Sequence, residues 1–233
     1  LFILTILCII IPFVISLKIF KSYEEKPNPV SVVVVQPNID PYNKKFRTDY
    51  FDSIWNRLFQ LSERQLDENV TFLVWPETSI PGRFRISDLN ESEAMHKIRT
   101  NIFIKHPDLN LICGANAYEV YDFKASPTAR TFSDGECCWD AFNTSYEINH
   151  TGLKNFYHKS KLVPGVERMP YPQFFGFLER FALDLGGTKG SLGMSTESKV
   201  FNSSGIAIAP IICYESVFGE YTAEFVKNGA NLI

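Results

Sequence analysis

The first seventeen residues constrain most strongly what this chain can fold into. Leu1 to Leu17 reads LFILTILCIIIPFVISL and carries no charged side chain. A helix of this length spans roughly 25 Å, close to the lower limit for crossing the hydrocarbon core of a bilayer. A cleaved signal peptide is the alternative, but no basic stretch precedes the run and no small-x-small pattern follows it. We therefore predict a transmembrane helix at residues 1–17, as the end of a longer membrane domain.

The segment after this run is polar and contains two prolines, which predicts a linker over residues 18–29. Its three lysines alone would place the following segment in the cytoplasm, but one helix cannot set a topology, so the orientation stays open. We expect residues 30–233 to form one folded domain. Because the sequence stops inside a predicted strand at 228–233, we expect this domain to be incomplete at its C-terminus.

Composition excludes several kinds of site. The formal net charge is −3, and no dense Lys/Arg stripe is present to neutralise phosphates, so a nucleic-acid partner is not expected. The five cysteines include no C-x-x-C pair, and the four histidines are scattered. We predict no metal site, no disulfide framework and no cofactor, and we interpret the Cys137-Cys138 pair as incidental.

The rest of the chain alternates between strand and helix patterns. A β-branched run and two further apolar runs predict strands, and apolar residues at helical spacing predict amphipathic helices between them. Such units, with a hairpin among them, predict an α/β or α+β sandwich. The predicted strands are 30–36, 70–75, 109–116, 132–148, 152–158, a short pair within 200–213, and 228–233; the predicted helices are 43–68, a segment from an N-cap at Ser87 to Lys105, and 217–227.

The segment Pro164–Lys199 is less regular. Within it, phenylalanines and leucines from Phe174 to Leu185 fall at helical spacing. A helix packed into the core would explain this pattern, and so would an apolar flap that faces lipid near the mouth of a site, with Phe174–Phe181 at that mouth.

The stretch Ile206–Ser216 contains the candidate nucleophile. A short apolar strand runs directly into Cys213, which polar residues follow. A strand end holds a thiol rigidly, and nearby backbone N–H groups are expected to lower its pKa. The alternative is a buried cysteine that only fills space.

Two more candidate residues follow predicted strands, Glu77 after 70–75 and Lys159 after 152–158. Side chains at strand ends on one edge of a sheet converge. A cysteine, a carboxylate and an ammonium together make a complete set for acyl transfer, because they supply a nucleophile, a proton acceptor and a partner for the oxyanion.

Three segments around these residues resemble the signature segments of the nitrilase (carbon–nitrogen hydrolase) superfamily. They are Val74-Trp-Pro-Glu-Thr78, Tyr157-His-Lys159 and Ile212-Cys-Tyr-Glu215. More narrowly, the chain resembles the apolipoprotein N-acyltransferase family, through Val35-Gln-Pro-Asn-Ile-Asp40, through Leu162-Val-Pro-Gly-Val-Glu-Arg-Met-Pro170 and through the apolar helix before the domain.

This resemblance implies a fold and a set of roles. The fold is α+β, a four-layer αββα sandwich preceded by one transmembrane helix. The resemblance makes Cys213 the nucleophile, Glu77 the general base and Lys159 the oxyanion partner. It also implies three supporting residues, which are Glu167, Tyr214 and Glu215.

The implied reaction moves a fatty acyl chain from a phospholipid, through a cysteine thioester, to the N-terminal amine of a diacylglyceryl-cysteine lipoprotein. The implied location is the bacterial inner membrane, with the catalytic domain facing the periplasm. A membrane-anchored amidase that uses the same three residues is an alternative. A catalytically inactive, membrane-tethered binding module is another, which the intact Glu77, Lys159 and Cys213 disfavour.

Overall fold

The computed structural model describes residues 2–24, 28–40, 45, 47–133, 135, 138–168 and 191–233. The predicted apolar segment 174–181 lies outside these ranges, so both interpretations of it stay open. The chain divides into two compact units, Leu1–Val30 and Ser31–Ile233.

The first unit consists mainly of helix α1, Phe2–Ser22, none of whose residues is buried. Among the described residues, it is the one helix long and apolar enough to cross a membrane. The helix continues five residues beyond Leu17 and so includes two lysines, Lys18 and Lys21, of the predicted linker. A long lysine side chain near a helix end can extend its charged group toward water, so these two residues do not end the helix.

The second unit is built on a seven-stranded sheet. Strands β1, β2, β3 and β4 run parallel to one another, β6 runs antiparallel to β4, and β6 pairs with both β5 and β7. The carboxyl ends of β1, β2 and β4 therefore meet at one edge. The strands are β1 Val32–Val34, β2 Phe72–Val74, β3 Ile80–Arg85, β4 Asn110–Tyr121, β5 Arg130–Thr131, β6 Cys138–Asn149 and β7 Gly152–His158.

Alternation along the strands divides the side chains of this sheet between two faces. On one face, Leu73 and Leu111 join a buried core with residues of the helices α2, Phe51–Glu63, and α3, Glu93–Ile98. Their neighbours Phe72 and Ile112 line a cavity of about 550 Å³ on the other face, together with residues of the second sheet. The large sheet thus has helices on one side and a sheet on the other.

The second sheet is small. Strands β8, Phe201–Ser203, and β9, Ile206–Ile208, pair antiparallel, and Leu232 forms a single parallel bridge to Ile208. A 3₁₀ turn, Cys213–Val217, and helix α4, Gly219–Lys227, follow β9. The predicted α+β sandwich class, with an apolar helix before it, is confirmed.

The predicted N-cap at Ser87 is wrong. Residues Ile86–Glu91 form a 3₁₀ helix, and α3 begins only at Glu93. Ser92 caps it, because its backbone is extended and its Oγ accepts a hydrogen bond from the N–H of Met95 at 3.2 Å.

The helix predicted over 43–68 is shorter than expected. It begins with a 3₁₀ turn at Thr48–Tyr50, and α2 ends at Glu63. The backbone N–H groups of Gln65 and Leu66 both turn to the carbonyl of Ser62, which closes the helix.

Strand β3 lies between the predicted strand 70–75 and Ser87, in a stretch that contains Pro81-Gly82 and was not among the predicted strands. The proline fits since the pairing of β3 with β4 shifts register between Ile80 and Arg83, where no ladder hydrogen bond is needed from residue 81.

Candidate active site

Glu77 lies at the sheet edge where β2 ends. The next residue, Thr78, has a left-handed backbone with φ of 46°, which is uncommon for a residue other than glycine. Gly114 of β4 passes directly beneath this turn. A Cβ atom at residue 114 would lie 2.6 Å from Thr78 N and 2.8 Å from Glu77 Cα, so only glycine allows this approach. The backbone of β4 thereby sets the position of Glu77.

Lys159 follows the last residue of β7, and its backbone N–H donates to the carbonyl of Asn143 at 2.8 Å. Its side chain is only 1% exposed, and its Nζ lies 3.0 Å from Oε1 of Glu77 and 3.0 Å from Oε1 of Glu167. Burial by itself lowers the pKa of Lys159, but the two carboxylates outweigh burial and the pKa is raised. Lys159 therefore stays an ammonium over a wide pH range.

Glu167 reaches the site from the turn that follows Lys159. Its second oxygen, Oε2, accepts the backbone N–H of Val163 at 2.8 Å. The structure therefore brings Glu167, which the resemblance implied to be a supporting residue, next to Glu77 and Lys159.

Asn143 of β6 is a further residue of the site, which the sequence analysis missed. Its Nδ2 donates to Oε1 of Glu77 at 2.6 Å and to Oε1 of Glu167 at 3.1 Å. Lys159 donates to the same two oxygens. The four side chains therefore form a closed ring of hydrogen bonds, which we call the carboxylate ring. Nothing near residue 143 in the sequence marks it, because the strand that carries it is far from the other motifs.

Cys213 opens the 3₁₀ turn after β9 and is exposed. Its φ of 46° is left-handed, like that of Thr78. Strained backbone of this kind is concentrated at functional sites.

The thiol of Cys213 differs from the prediction in its pKa. Burial and the negative charge of Glu77 raise it, and the opposing effects of Lys159 and of the Tyr214 N–H are too small to compensate. The backbone N–H of Tyr214 lowers this pKa as expected, but burial and Glu77 outweigh it, so the net pKa of the thiol is raised and not lowered. The thiol is protonated at neutral pH, so it needs a base to become a nucleophile.

Glu215 is fully buried and connects the segment of Lys159 to the segment of Cys213. It accepts hydrogen bonds from the residues that directly follow the lysine and from the residue that precedes the cysteine. Its Oε1 accepts from Tyr157 Oη (2.6 Å), Ser160 N (2.6 Å) and Lys161 N (3.2 Å), and its Oε2 accepts from Ile212 N (2.9 Å).

Two tyrosines surround this contact. Tyr221 of α4 places its hydroxyl 2.6 Å from that of Tyr157, which in turn donates to Glu215. Tyr214, by contrast, points elsewhere, since its ring packs edge-on against Phe218 with 5.2 Å between centroids. The described residues show no hydrogen bond between the Tyr214 side chain and the carboxylate ring.

Lys45 is a second lysine at the site that the sequence analysis did not identify. Its Nζ donates to the backbone carbonyl of Glu77 at 3.0 Å. Burial lowers the pKa of Lys45, although Glu77 and Cys213 oppose this change. Two lysines thus face two carboxylates around the thiol, which keeps the net charge of the group near zero.

The described residues include no cluster of three His, Cys, Asp or Glu side chains arranged to hold a metal ion. The chemistry available is instead that of a thiol, a carboxylate with one uncommitted oxygen and a fixed ammonium. Such a group can accept a proton from the thiol and stabilise negative charge on a substrate oxygen.

No protein-family model matches the chain. Among curated proteins, the apolipoprotein N-acyltransferase of Chlorobaculum tepidum is 29% identical over 211 residues, and apolipoprotein N-acyltransferase 1 of Treponema pallidum is 27% identical over 220 residues. The alignments cover 88% and 87% of this chain, but 38% and 36% of those relatives. Among solved structures, an amidase from Nesterenkonia sp. is 13% identical with a TM-score of 0.49, covering 88% of this chain and 64% of that chain.

The chain therefore spans less than two fifths of the length of these two relatives. Its resemblance to apolipoprotein N-acyltransferases, which the sequence analysis based on short segments, is confirmed over most of the chain.

Proposed function

We propose that this chain, a relative of the apolipoprotein N-acyltransferases, carries the acyl-transfer site of a lipoprotein acyltransferase. The observation that carries the proposal is the carboxylate ring, whose Glu77 lines the same cavity as Cys213 and helps to raise the pKa of its thiol. A protonated thiol, a base with one uncommitted oxygen and a buried ammonium are the three groups that acyl transfer requires. The names of the relatives support lipoprotein as the acceptor.

In the first half-reaction, the thiol proton of Cys213 passes to Glu77 as the sulfur attacks the ester carbonyl of a phospholipid. The carbon–sulfur bond forms and the carbon–oxygen ester bond breaks. The proton held by Glu77 then passes to the departing lysophospholipid alcohol. The product is a thioester on Cys213.

In the second half-reaction, the α-amine of a diacylglyceryl-cysteine attacks the thioester carbonyl. Glu77 accepts a proton from the amine and returns it to the sulfur, so the amide forms and the thiol is restored. Because both half-reactions use one site, ping-pong kinetics are expected.

Lys159 is suited to stabilise the oxyanion in both steps. Two of its ammonium hydrogens are directed to Glu77 and Glu167, and one remains for a substrate oxygen. Because the two carboxylates raise its pKa, the ammonium keeps its charge while negative charge develops on the substrate.

We further propose that the protein is anchored in the bacterial inner membrane with this domain facing the periplasm. The helix α1, which is long and apolar enough to cross a membrane, supports an anchor. Both proposed substrates reside in a membrane, which gives a physical reason to tether the domain.

Mass spectrometry of the protein after incubation with phospholipid vesicles tests the first half-reaction. We expect an acyl adduct on the peptide that contains Cys213, and no adduct in Cys213→Ala. If the wild-type protein stays unmodified and the phospholipid is not consumed, the proposal is refuted.

A diacylated peptide with a free N-terminal cysteine then separates transfer from hydrolysis. Transfer gives an N-acylated peptide and restores the thiol. Release of free fatty acid, with the peptide unchanged, would favour the amidase-like hydrolase instead.

A further inference from the structure

We propose that Asn143 is a positioning residue that fixes Glu77 and Glu167 through one oxygen each and so reserves Oε2 of Glu77 for the thiol of Cys213. This inference rests on the proposed function only in taking Glu77 as the base.

The contact with Asn143 gives the two oxygens of the Glu77 carboxylate different roles. Oε1 accepts from both Asn143 Nδ2 and Lys159 Nζ, at 2.6 and 3.0 Å. Among the described residues, no hydrogen bond to Oε2 of Glu77 is present, and Glu77 lines the same cavity as Cys213. A carboxylate held at one oxygen by two donors cannot rotate freely, so its other oxygen keeps a fixed direction.

Two carboxylates that share one ammonium also repel each other. Oε1 of Glu77 and Oε1 of Glu167 both lie 3.0 Å from Lys159 Nζ. The Asn143 amide bridges the same two oxygens from the other side, and its partial positive charge offsets part of this repulsion. Unlike a second cation, a neutral amide adds no whole charge, so Glu77 remains basic enough to accept a proton.

The backbone holds the amide rigidly. Asn143 is 4% exposed and pairs with Asn116 of β4, and its carbonyl accepts the N–H of Lys159. The position of this amide is therefore set by the centre of the sheet and not by a loop.

The side-chain oxygen of Asn143 indicates that the orientation of this amide serves the site. Oδ1 of Asn143 is buried and has no hydrogen-bond partner among the described residues. Buried acceptors without a partner are uncommon because they lose their hydration. Turning the amide over would direct Oδ1 at two carboxylates, so the donor requirement of Glu77 and Glu167 fixes the observed orientation.

The test measures the titration of the Glu77 carboxyl by ¹³C NMR in the full chain, with Glu77→Gln used to assign the resonance. The variants are Asn143→Asp, which keeps the shape but replaces a donor by a third carboxylate, and Asn143→Leu, which removes the donor. Asn155→Asp is the matched control, because Asn155 also donates to a buried glutamate from the neighbouring strand, to Glu147 at 2.7 Å, but outside the site.

We expect the titration midpoint of Glu77 to rise by about one pH unit in Asn143→Leu and by more in Asn143→Asp, since a lost donor and an added negative charge both disfavour the carboxylate. Asn155→Asp should titrate like the wild type. If Asn143→Leu does not fold, the isosteric Asn143→Asp decides the result.

A variant that melts at a lower temperature but leaves the Glu77 titration unchanged would overturn the proposal, because Asn143 would then support only the fold. The acyl-adduct experiment gives a separate answer. If the wild type forms no adduct while the Glu77 midpoint shifts, the proposed function fails and the positioning role of Asn143 stands.

Discussion

Two carboxylates near the nucleophile, those of Glu77 and Glu215, are held in opposite ways. Glu215 is fully buried and both of its oxygens accept hydrogen bonds, from four neutral donors. Glu77 is partly exposed, and one of its oxygens accepts hydrogen bonds from both the Lys159 ammonium and the Asn143 amide. A carboxylate whose two oxygens both accept hydrogen bonds takes a proton less readily than one that has an oxygen without a donor.

The two carboxylates therefore have different roles, a structural one for Glu215 and a chemical one for Glu77. Glu215 accepts hydrogen bonds from the N–H of Ile212, just before the cysteine, and from the backbone N–H groups just after Lys159, so it links the lysine and cysteine segments. Glu77 is held by the ammonium of Lys159 and by the amide of Asn143, which bridges two carboxylates. We therefore expect substitutions at Glu77 to change rate and substitutions at Glu215 to change stability.

The largest effect should follow Glu77→Gln. The amide cannot accept the thiol proton, so acyl-enzyme formation should fall by roughly 10²–10⁴-fold. The free energy of unfolding should change by less than about 2 kcal/mol, because Glu167 still pairs with Lys159. Adduct formation followed by mass spectrometry, with urea unfolding alongside, checks both parts. Equal losses of rate and stability would remove the distinction between the two carboxylates.

Lys159→Met should destabilise the protein by about 3–5 kcal/mol, because two carboxylates are left without their buried partner. The pH dependence should also reverse. In the wild type the pKa of Glu77 is lowered, so its stabilising contribution is present above about pH 4.3 and is lost as the pH falls. In the variant the pKa of Glu77 rises, so stability should increase on acidification. Thermal unfolding of both proteins between pH 2.5 and pH 8 measures this, and a variant that still loses stability in acid would contradict the charge assignment.

Glu215→Gln should destabilise the protein by about 1–3 kcal/mol, since its new NH₂ group would face backbone N–H donors. The matched control is Glu224→Gln, on the exposed side of α4, which should leave stability unchanged. The remaining folded fraction should still form the adduct on Cys213. A stable but inactive Glu215→Gln protein would place Glu215 in the chemistry and remove the comparison.

The pH dependence of Cys213 alkylation should show a shift of about one unit. Burial and Glu77 raise the pKa of this thiol, so half-maximal reaction with iodoacetamide should lie above about pH 8.5 in the wild type. Glu77→Gln should lower this midpoint and thus speed alkylation at pH 7.5, although the variant cannot transfer acyl groups. Lys159→Met should raise the midpoint. Peptide mass spectrometry resolves Cys213 from the other cysteines, and a midpoint unchanged by both substitutions would show that the ring does not act on the thiol.

The smallest effect should come from Tyr221→Phe. This change removes one hydroxyl contact to Tyr157 and leaves all donors of Glu215 in place, so it should cost about 0.5–1.5 kcal/mol. Tyr157→Phe should cost more, because Glu215 then loses a donor. Urea unfolding of the two variants gives the order, and the reverse order would contradict the arrangement.

Residues with a distinctive local sequence were predictable. Glu77, Lys159 and Cys213 each follow a predicted strand, and the structure brings Glu77 and Lys159 into direct contact. Their catalytic roles remain predictions. The paired short strands β8 and β9 and the helix α4 also appear where the patterns of strand and helix indicated them.

Other features depend on contacts between distant parts of the chain. Asn143 reaches Glu77 across 66 positions of sequence, and Lys45 reaches it across 32, so no local pattern shows either contact. The strand at Ile80–Arg85 was missed because Pro81 is tolerated only through a register shift against β4. The pKa of Cys213 was predicted in the wrong direction because burial of the thiol and the charge of Glu77 together outweigh Lys159 and the backbone N–H of Tyr214.

The close approach at Gly114 has a consequence for how such a site can diverge. A methyl group there would collide with the backbone of Glu77 and Thr78, although residue 114 carries no functional group. Substitution of this glycine would move the base without altering any charge, so the site is sensitive to sequence change even at a position with no side chain. Variation that preserves every reactive group can therefore still abolish activity, and a search for active relatives that compares only the reactive residues would miss that loss.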